Sequence, residues 1–255
     1  MSVIENPQRV GRFTSSQMHK LMTNGNQKHG TGKPFVTYVE EKRMERRLGR
    51  SLDLGKGNSS TAWGDLIELF LFQEHRKFKE SFEYSLQSKT TLIHPGHEFW
   101  AGSPDLIVSG KKDIEKVAEV KGYEPKKFCA YADALLLKDV GILKKEFPQE
   151  YWQIVSNACI LGVNLGEAIL YMPYRKDLNA IREWIETTEL TDEMHRYRYI
   201  SELEDHRLPY VPENSKYSDL IQFEFEVPEV DKKALTERVK LAEKECGHAI
   251  ETKVN

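Results

Sequence analysis

The chain has 255 residues, of which 39% are hydrophobic and 30% are charged, and its 37 basic and 40 acidic residues give a net charge of -3. This length supports one substantial core, so we expect a single domain, and the charge balance excludes a protein that binds nucleic acid through a globally basic surface. No apolar run approaches the roughly 20 residues that span a bilayer, and the first residues do not form a signal sequence. The three cysteines form no Cys-x-x-Cys pair, so we expect reduced cysteines in a soluble, intracellular protein.

The first third of the sequence predicts helices that are separated by polar loops. Ser15 or Thr14 supplies a side-chain oxygen suited to cap the first helix. The second helix has a strongly charged face, and the third is heavily apolar. The predicted helices are 15–22, 35–48 and 61–78, with loops at 24–34 and 54–60.

Short runs rich in β-branched and aromatic residues follow, bounded by Gly, Ser, Lys and Asp, and they predict strands. These strands are 82–86, 91–94, 98–102, 106–108 and 117–120. The second half adds helices at 128–137, 148–161, 181–205 and 231–246, and strands at 167–173 and 221–227. The order of these elements predicts an α/β or α+β fold with a mixed central β-sheet flanked by helices.

Three charged residues lie on one predicted hairpin. Asp105 belongs to the chain's only Pro-Asp step, and Glu119 lies 14 positions later, across a Ser-Gly-Lys-Lys-Asp turn. Pairing brings Asp105 near Glu119, and alternation puts Glu119 and Lys121 on the same face. Two adjacent carboxylates repel each other unless a cation lies between them, and all-oxygen ligation suits Mg²⁺ or Mn²⁺ better than zinc. The alternative is a solvated surface hairpin with a cross-strand ion pair.

Two further polar residues interrupt apolar helical runs. Glu68 lies within the run 66–72 of the third predicted helix, and Gln153 lies on a helix that Pro148 opens. Each side chain either faces solvent from an amphipathic helix or is directed into a polar pocket. The sequence leaves both alternatives open.

The N-terminal segment contains the elements of an anion site. Thr14, Ser15 and Ser16 open a predicted helix whose free N–H groups attract phosphate, and Arg9 and Arg12 stand just before it. The alternative is an ordinary helix cap with two arginines that face solvent.

Taken in order, these residues resemble a known family. The motifs are Arg9 with Thr14-x-Ser16, Trp63-Gly64-x-x-x-Glu68, Ser103-Pro104-Asp105, Glu119-x-Lys121 and Tyr151-x-Gln153. Their sequence order resembles that of the PD-(D/E)xK nuclease superfamily and, within it, of the YqaJ-type viral recombinase exonucleases of the lambda exonuclease group. The resemblance runs from about residue 9 to residue 173.

The resemblance implies a restriction-endonuclease-like core at about 9–175, with a C-terminal helix–strand–helix extension at about 176–255 in the same domain. It also implies roles for the site residues. Divalent metal would be held by Asp105, Glu119, the backbone carbonyl of Val120 and, directly or through water, Glu68. Lys121 would position and activate the attacking water, Gln153 would orient the site, and Ser103 would lie beside the metal-binding aspartate. Arg9 and Ser16 would hold a 5′-terminal phosphate, and Arg12 and Ser103 would also belong to the phosphate-binding residues.

The function that the resemblance implies is a Mg²⁺-dependent DNA exonuclease, with Mn²⁺ able to substitute. It would hydrolyse duplex DNA ends in the 5′→3′ direction during phage or prophage recombination, together with a single-strand annealing protein. A trimeric homo-oligomer and a location in the cytoplasm of a bacterial or phage-infected cell follow from the same resemblance, and no membrane is involved. The alternatives are a restriction-type endonuclease of the same superfamily and a catalytically silent DNA- or protein-binding module on this fold.

Three residues, in two of the motifs, depart from the family pattern. Leu106 stands after the Pro-Asp step, where a glycine is common, and Gly122 and Tyr123 follow the lysine, where Cys-Pro is common. Neither change alters a residue expected to bind metal. Both affect the expectation for the loop after Lys121 and for the preferred substrate end.

Overall fold

Groups of helices and of strands follow one another along the chain in the computed structural model, which describes residues 8–52, 59–79, 83–87, 90–110, 113–187 and 197–247. The α-helices are α1 (Met18–Leu21), α2 (Lys33–Leu48), α3 (Ser59–Glu74), α4 (Arg76–Lys79), α5 (Pro125–Leu136), α6 (Val140–Glu146), α7 (Pro148–Leu161), α8 (Leu178–Thr187), α9 (Arg198–Ser201) and α10 (Glu229–Gly247). The strands are β1 (Phe13–Thr14), β2 (Tyr84–Leu86), β3 (Leu92–His94), β4 (His97–Gly102), β5 (Leu106–Ser109), β6 (Ile114–Lys121), β7 (Leu165–Tyr171) and β8 (Leu220–Glu226).

The strands form two sheets. Five of them make a central sheet in the order β2-β5-β6-β7-β8, in which β6 and β7 run parallel and the other neighbours run antiparallel. This confirms the predicted mixed central sheet. Strands β3 and β4 lie in a second sheet with β1, in the order β1-β4-β3. The sequence did not predict β1, because two residues are too few to show a strand period.

Helices cover both faces of the central sheet. Along β6, Val117 and Glu119 lie on the face covered by α7, whereas Ala118 and Val120 lie on the face covered by α3 and α8. Strand β8 pairs with β7 and forms one edge of the central sheet. Helix α10 packs against α1, α2 and α7, and its buried apolar side chains belong to the same cluster as those of α7. The C-terminal extension therefore contributes to the core that supports β6. None of the described helices is both long and apolar enough to cross a membrane.

The N-terminal segment is fixed against the second sheet. Strand β1 pairs with β4 in parallel, with Thr14 opposite Ala101, so the residues after β1 lie beside the residues after β4. The turn before β1 needs a glycine, because Gly11 has a φ of +68° and a Cβ there would lie 2.5 Å from Cγ of Arg46. The buried carboxylate of Glu45 on α2 accepts a 2.9 Å hydrogen bond from the N–H of Gly11.

Three helix predictions need correction. The predicted helix 15–22 is a 3₁₀ turn over Ser15–Gln17 followed by the single turn α1. Its predicted cap is wrong, because the Thr14 hydroxyl lies against Tyr38 and the Ser15 hydroxyl bonds Asn157. The predicted helix 61–78 is interrupted at His75, where α3 ends and α4 follows.

The predicted helix 181–205 is also divided. Its described parts are α8 and α9, and a 3₁₀ turn over Asp205–Arg207 follows, where Asp205 accepts hydrogen bonds from Arg175 and Arg182. Helix α6 was not predicted; it is only seven residues long, and Asp139 caps it by accepting from two N–H groups. Residues 188–196 of the predicted helix, residue 82 of a predicted strand, most of the loop 54–60 and Lys111 and Lys112 of the hairpin turn lie outside the described residues.

Candidate active site

The β5–β6 hairpin brings the three charged residues together. Leu106 pairs with Ala118, so Asp105 lies at the end of β5 opposite Glu119. The N–H of Val120 donates a 2.8 Å hydrogen bond to Oδ2 of Asp105 and fixes its orientation. Nζ of Lys121 lies 3.4 Å from Oε2 of Glu119 and 3.7 Å from Oδ2 of Asp105. Since Glu119 is only 1% exposed, this is a buried charge cluster and not a solvated hairpin face.

Burial and neighbouring charges shift the pKa values of two groups in the cluster. Burial raises the pKa of Glu119 well above its usual value, and the adjacent carboxylate of Asp105 raises it further. For Lys121, burial works to lower the pKa, but the carboxylates of Asp105, Glu119, Glu68 and then Glu150 outweigh burial and raise it. Lys121 is therefore an ammonium at neutral pH, suited to orienting a water and stabilising negative charge.

Helix α7 orients the carboxylate of Glu119. Gln153 donates from Nε2 to Oε2 of Glu119, and Asn157 donates from Nδ2 to Oε1. Oε2 also accepts a 3.4 Å hydrogen bond from Nζ of Lys121, whereas Oε1 keeps a second lone pair for another partner. The predicted orienting role of Gln153 thus has a geometric basis, whereas the sequence reasoning missed Asn157.

Glu150 is a second residue that the sequence reasoning missed. It accepts a 2.8 Å hydrogen bond from Nζ of Lys127 and another from the hydroxyl of Tyr123. Burial alone would raise the pKa of Glu150, but these two hydrogen bonds lower it. The signal was available, because positions 150, 153 and 157 form a polar stripe at helical spacing in a helix that is otherwise largely apolar.

The end of β6 lies against α3. A Cβ at Gly122 would lie 3.1 Å from Cγ2 of Ile67, so the bare backbone at this family departure permits the close approach of α3. Glu68 follows Ile67, and its charge contributes to the raised pKa of Lys121. Tyr123, the other departure, is held by Glu150. The residues after Lys121 are therefore held by two contacts, Gly122 against α3 and Tyr123 against Glu150.

The proposed phosphate-binding residues differ in what they contact. The guanidinium of Arg12 donates to the backbone carbonyls of Glu98 at 2.7 Å and Gln8 at 2.9 Å, so it is at least partly committed to holding the chain. Arg9 is exposed. Burial raises the pKa of the Tyr38 hydroxyl to about 12, and the positive charge of Arg9 works against this rise. Since α1 has only four residues, its dipole cannot supply an anion site, and such a site rests on side chains.

The serines of the two adjacent strand ends also differ. Ser16 is partly buried in the 3₁₀ turn that follows β1. Ser103, two residues before Asp105, shares a 3.2 Å hydrogen bond with the hydroxyl of Thr91. The pairing of β1 with β4 is what brings the chain around Ser16 and the chain around Ser103 to the same edge.

The donor set fits a hard divalent cation. Asp105 and Glu119 present oxygen atoms to one place, and a cation bound there would relieve the repulsion between them, which adds to burial in raising the pKa of Glu119. In the part of the chain that the structure describes, no three His, Cys, Asp or Glu side chains cluster closely enough to hold a metal ion. Asp105 and Glu119 would therefore act as a pair, and a role of Glu68 through water stays a prediction.

A cavity of about 670 Å³ lies elsewhere, between α3, β7 and α8. Its lining includes Glu74, Asp177, Glu183 and Asp219. The lining also includes Lys176 and His75, but the four carboxylates outnumber them and repel phosphate, so the hairpin cluster is the better candidate for phosphodiester chemistry.

Comparison with known proteins gives a consistent result. A family model described as the YqaJ-like viral recombinase domain matches residues 6–163. The structure is similar to that of an alkaline exonuclease from Laribacter hongkongensis, with a TM-score of 0.58 and 14% identity over 93% of this chain and 89% of that chain. A complex of the Laribacter exonuclease with dAMP gives the same TM-score and identity, over 94% and 90% of the two chains.

A third structure, of a phage-related exonuclease from Haemophilus somnus 129PT, has a TM-score of 0.57 and 13% identity over 92% of this chain and 93% of that chain. No curated protein sequence matches the chain significantly. At these identities the structural similarity shows the fold, which is the PD-(D/E)xK fold of alkaline exonucleases. The resemblance stated from the sequence motifs is thus confirmed.

Proposed function

Because the chain belongs to the YqaJ-like viral recombinase domain family, we propose that it is a Mg²⁺-dependent DNA exonuclease that hydrolyses phosphodiester bonds. The observation that carries the proposal is the buried cluster of Asp105, Glu119 and Lys121 at the end of one hairpin. A chain that had lost catalysis would have no need to keep two buried carboxylates beside a lysine, since such a cluster costs free energy.

The side chains of the cluster have separable roles in this proposal. Asp105 and Glu119, with the backbone carbonyl of Val120, would hold Mg²⁺, and Mn²⁺ would substitute. A divalent cation bound there would stabilise the charge on the attacking and leaving oxygens. Lys121 would orient the attacking water and stabilise negative charge on the phosphate, because its ammonium lies within 3.7 Å of both carboxylates. Gln153 keeps the carboxylate of Glu119 in position.

The preference for DNA ends is proposed from the N-terminal segment. Arg9 is exposed, and the β1–β4 pairing places Ser16 near the chain that leads to Ser103 and Asp105. A 5′-terminal phosphate bound by Arg9 and Ser16 would fix the distance from the end to the scissile bond, which gives 5′→3′ digestion. Arg12, which holds two backbone carbonyls, would add charge nearby.

The biological setting is proposed from the family. A nuclease that resects duplex ends would serve phage or prophage recombination in the cytoplasm of a bacterial or phage-infected cell. Its product, a 3′-ended single strand, would pass to a single-strand annealing protein. A homo-oligomer, a trimer by family resemblance, would keep the enzyme on its DNA.

Two other functions use the same cluster differently. A restriction-type endonuclease would cut without a free end, and a binding module would bind DNA without cutting it. The experiment that separates them incubates a linear duplex with 5′-phosphorylated ends and the same DNA as a closed circle with Mg²⁺. Lys121→Ala serves as the control for contaminating nucleases.

We expect loss of the linear DNA only, and no loss with Lys121→Ala. Cutting of the circle would establish the endonuclease instead. Binding without degradation of either DNA, with Mg²⁺ and with Mn²⁺, would leave the binding module as the function.

A further inference from the structure

A series of hydrogen bonds connects Glu119 to the segment between β1 and α1. Asn157 donates to Oε1 of Glu119, and Oδ1 of Asn157 accepts a 2.6 Å hydrogen bond from the hydroxyl of Ser15. That hydroxyl lies 2.8 Å from the hydroxyl of Ser156, which accepts a 2.8 Å hydrogen bond from Nε1 of Trp100. All five residues are at most 2% exposed, so water does not compete for these contacts. We refer to Ser15, Asn157 and Glu119 as the relay.

The two ends of the series fix the direction of every hydrogen bond in it. The indole N–H of Trp100 only donates, and Oε1 of Glu119 accepts from the NH₂ group of Asn157. Ser156 therefore accepts from Trp100 and donates to Ser15, and Ser15 in turn donates to Oδ1 of Asn157. The amide of Asn157 is thereby oriented with its NH₂ group toward Glu119. Hydrogen bonds that point the same way strengthen one another.

The surrounding backbone leaves no room for a different arrangement. A Cβ at Gly102, the last residue of β4, would lie 2.1 Å from Oδ1 of Asn157 and 2.2 Å from the hydroxyl oxygen of Ser15. The pairing of Thr14 with Ala101 holds the neighbouring residues at this distance. Only a glycine at position 102 therefore accommodates the contact between Ser15 and Asn157.

The carboxylate of Glu119 needs more than one partner to keep a single orientation. The terminal torsion of a glutamate is broad, so one hydrogen bond leaves the carboxylate plane free to swing. Gln153 holds Oε2 and Asn157 holds Oε1, which together fix the plane. Gln153 and Lys121 both donate to Oε2, so Asn157 is the donor that fixes the position of Oε1.

We propose that Asn157 is a positioning residue that sets the orientation of Glu119 toward the divalent cation, and that Ser15 acts through Asn157. The inference rests on the proposed function, because it assumes that Glu119 binds metal. It assigns Ser15 and Ser16, adjacent residues of one 3₁₀ turn, to different tasks: Ser15 to the metal site and Ser16 to the substrate phosphate.

The test is a double-mutant cycle on metal affinity in the full chain without DNA, measured by calorimetric titration with Mn²⁺. Removing a group that orients a metal ligand weakens affinity about 10- to 100-fold, so we expect at least about a 10-fold higher dissociation constant for Asn157→Ala. For Ser15→Ala we expect about a 3- to 10-fold increase. In the double variant Ser15→Ala should add nothing to Asn157→Ala, because its effect passes through the missing amide.

The control is Ser16→Ala, which removes a hydroxyl from the same turn and should leave the dissociation constant unchanged. Melting temperatures of all variants are recorded, and Asn157→Leu, which keeps most of the side-chain volume, replaces Asn157→Ala if that variant does not fold. A purely structural role would lower the melting temperature without changing metal affinity. That result, or additive effects of the two substitutions, would overturn the proposal.

The two proposals fail in different ways. If the unaltered chain binds Mn²⁺ but degrades no DNA, the exonuclease proposal fails and the cycle still decides the role of Asn157. If it degrades DNA and the cycle is additive, only the relay is refuted. If it binds neither Mn²⁺ nor Mg²⁺, both proposals are refuted.

Discussion

Strand β6 carries a lysine near each end, and each lysine faces two carboxylates, but the two clusters are built differently. Lys116 lies 2.8 Å from Oε2 of Glu167 and 2.6 Å from Oε2 of Glu224, within direct hydrogen-bonding distance of both. Lys121 lies 3.4 Å and 3.7 Å from its two carboxylates. Since the two lysines are five positions apart, they also lie on opposite faces of the sheet.

The burial of the carboxylates also differs. Around Lys121, a backbone N–H holds Asp105, and two amides from α7 hold Glu119. Both of these carboxylates are buried.

Around Lys116, neutral side chains also donate to Glu167, but the second carboxylate, Glu224, is 52% exposed. Each cluster has one ammonium for two carboxylates. Water screens the charge of Glu224, whereas the two buried carboxylates at Lys121 would be relieved by a further cation. Distance and burial therefore distinguish a structural ion pair from a candidate catalytic one more clearly than the residue types do.

Removing each lysine gives the largest expected contrast. Lys121→Ala should slow DNA cleavage about 10³-fold while DNA binding is largely retained, because a charged group that contacts the reacting phosphate is lost. Lys116→Ala should leave cleavage intact but lower the free energy of unfolding by about 3 kcal/mol, because the buried carboxylate of Glu167 loses its ion pair and keeps only neutral donors. Cleavage rates and urea unfolding of both variants measure these effects. Equal cleavage rates of the two variants would show that the Lys121 cluster is no more catalytic than the Lys116 cluster.

A methyl group next to the relay should have the next largest effect. Gly102→Ala introduces a Cβ that overlaps Ser15 and Asn157, and we expect a loss of about 3 kcal/mol in unfolding free energy together with weaker metal binding. Gly64→Ala is the matched control, since its nearest contact would be the carbonyl oxygen of Gly122 at 3.7 Å and alanine favours a helix. Thermal unfolding gives the melting temperatures of the two variants. Similar values would contradict the close packing at Gly102.

The sequence predicted the hairpin cluster because its signals are local. The Pro-Asp step, the turn and the alternation of Glu119 and Lys121 are all visible within about 20 residues of one another, and the register confirms their proximity. The relay is different, because Ser15 and Asn157 are 142 positions apart and each resembles an ordinary small polar residue. Their roles depend on a two-residue strand that no periodicity reveals. The failed cap at Thr14 has the same origin, since tertiary contacts took over its hydroxyl group.

The pH dependence of metal affinity should show whether Glu119, in the Lys121 cluster, binds the cation. Because burial and the neighbouring carboxylate of Asp105 raise the pKa of Glu119, metal binding at a pH below that pKa must release a proton. We expect affinity to fall as the pH decreases below that pKa, by up to about tenfold per pH unit. Calorimetry in two buffers of different ionisation enthalpy counts the protons. An affinity that is independent of pH, with no proton release, would show that Glu119 is not the titrating ligand.

The smallest expected effect concerns the end of the DNA and uses two arginines from one turn. Arg9→Ala should slow digestion of 5′-phosphorylated ends about 10-fold and of 5′-hydroxyl ends much less, because an exposed guanidinium in contact with a terminal phosphate is lost. Arg12→Ala should instead lower the melting temperature and slow both substrates alike, since this guanidinium holds the carbonyls of Gln8 and Glu98. Rates on matched duplexes that differ only in the terminal phosphate provide the measurement. If Arg9→Ala slows both substrates equally, Arg9 contacts the DNA backbone in general. The preference for 5′-phosphorylated ends would then have to come from other residues.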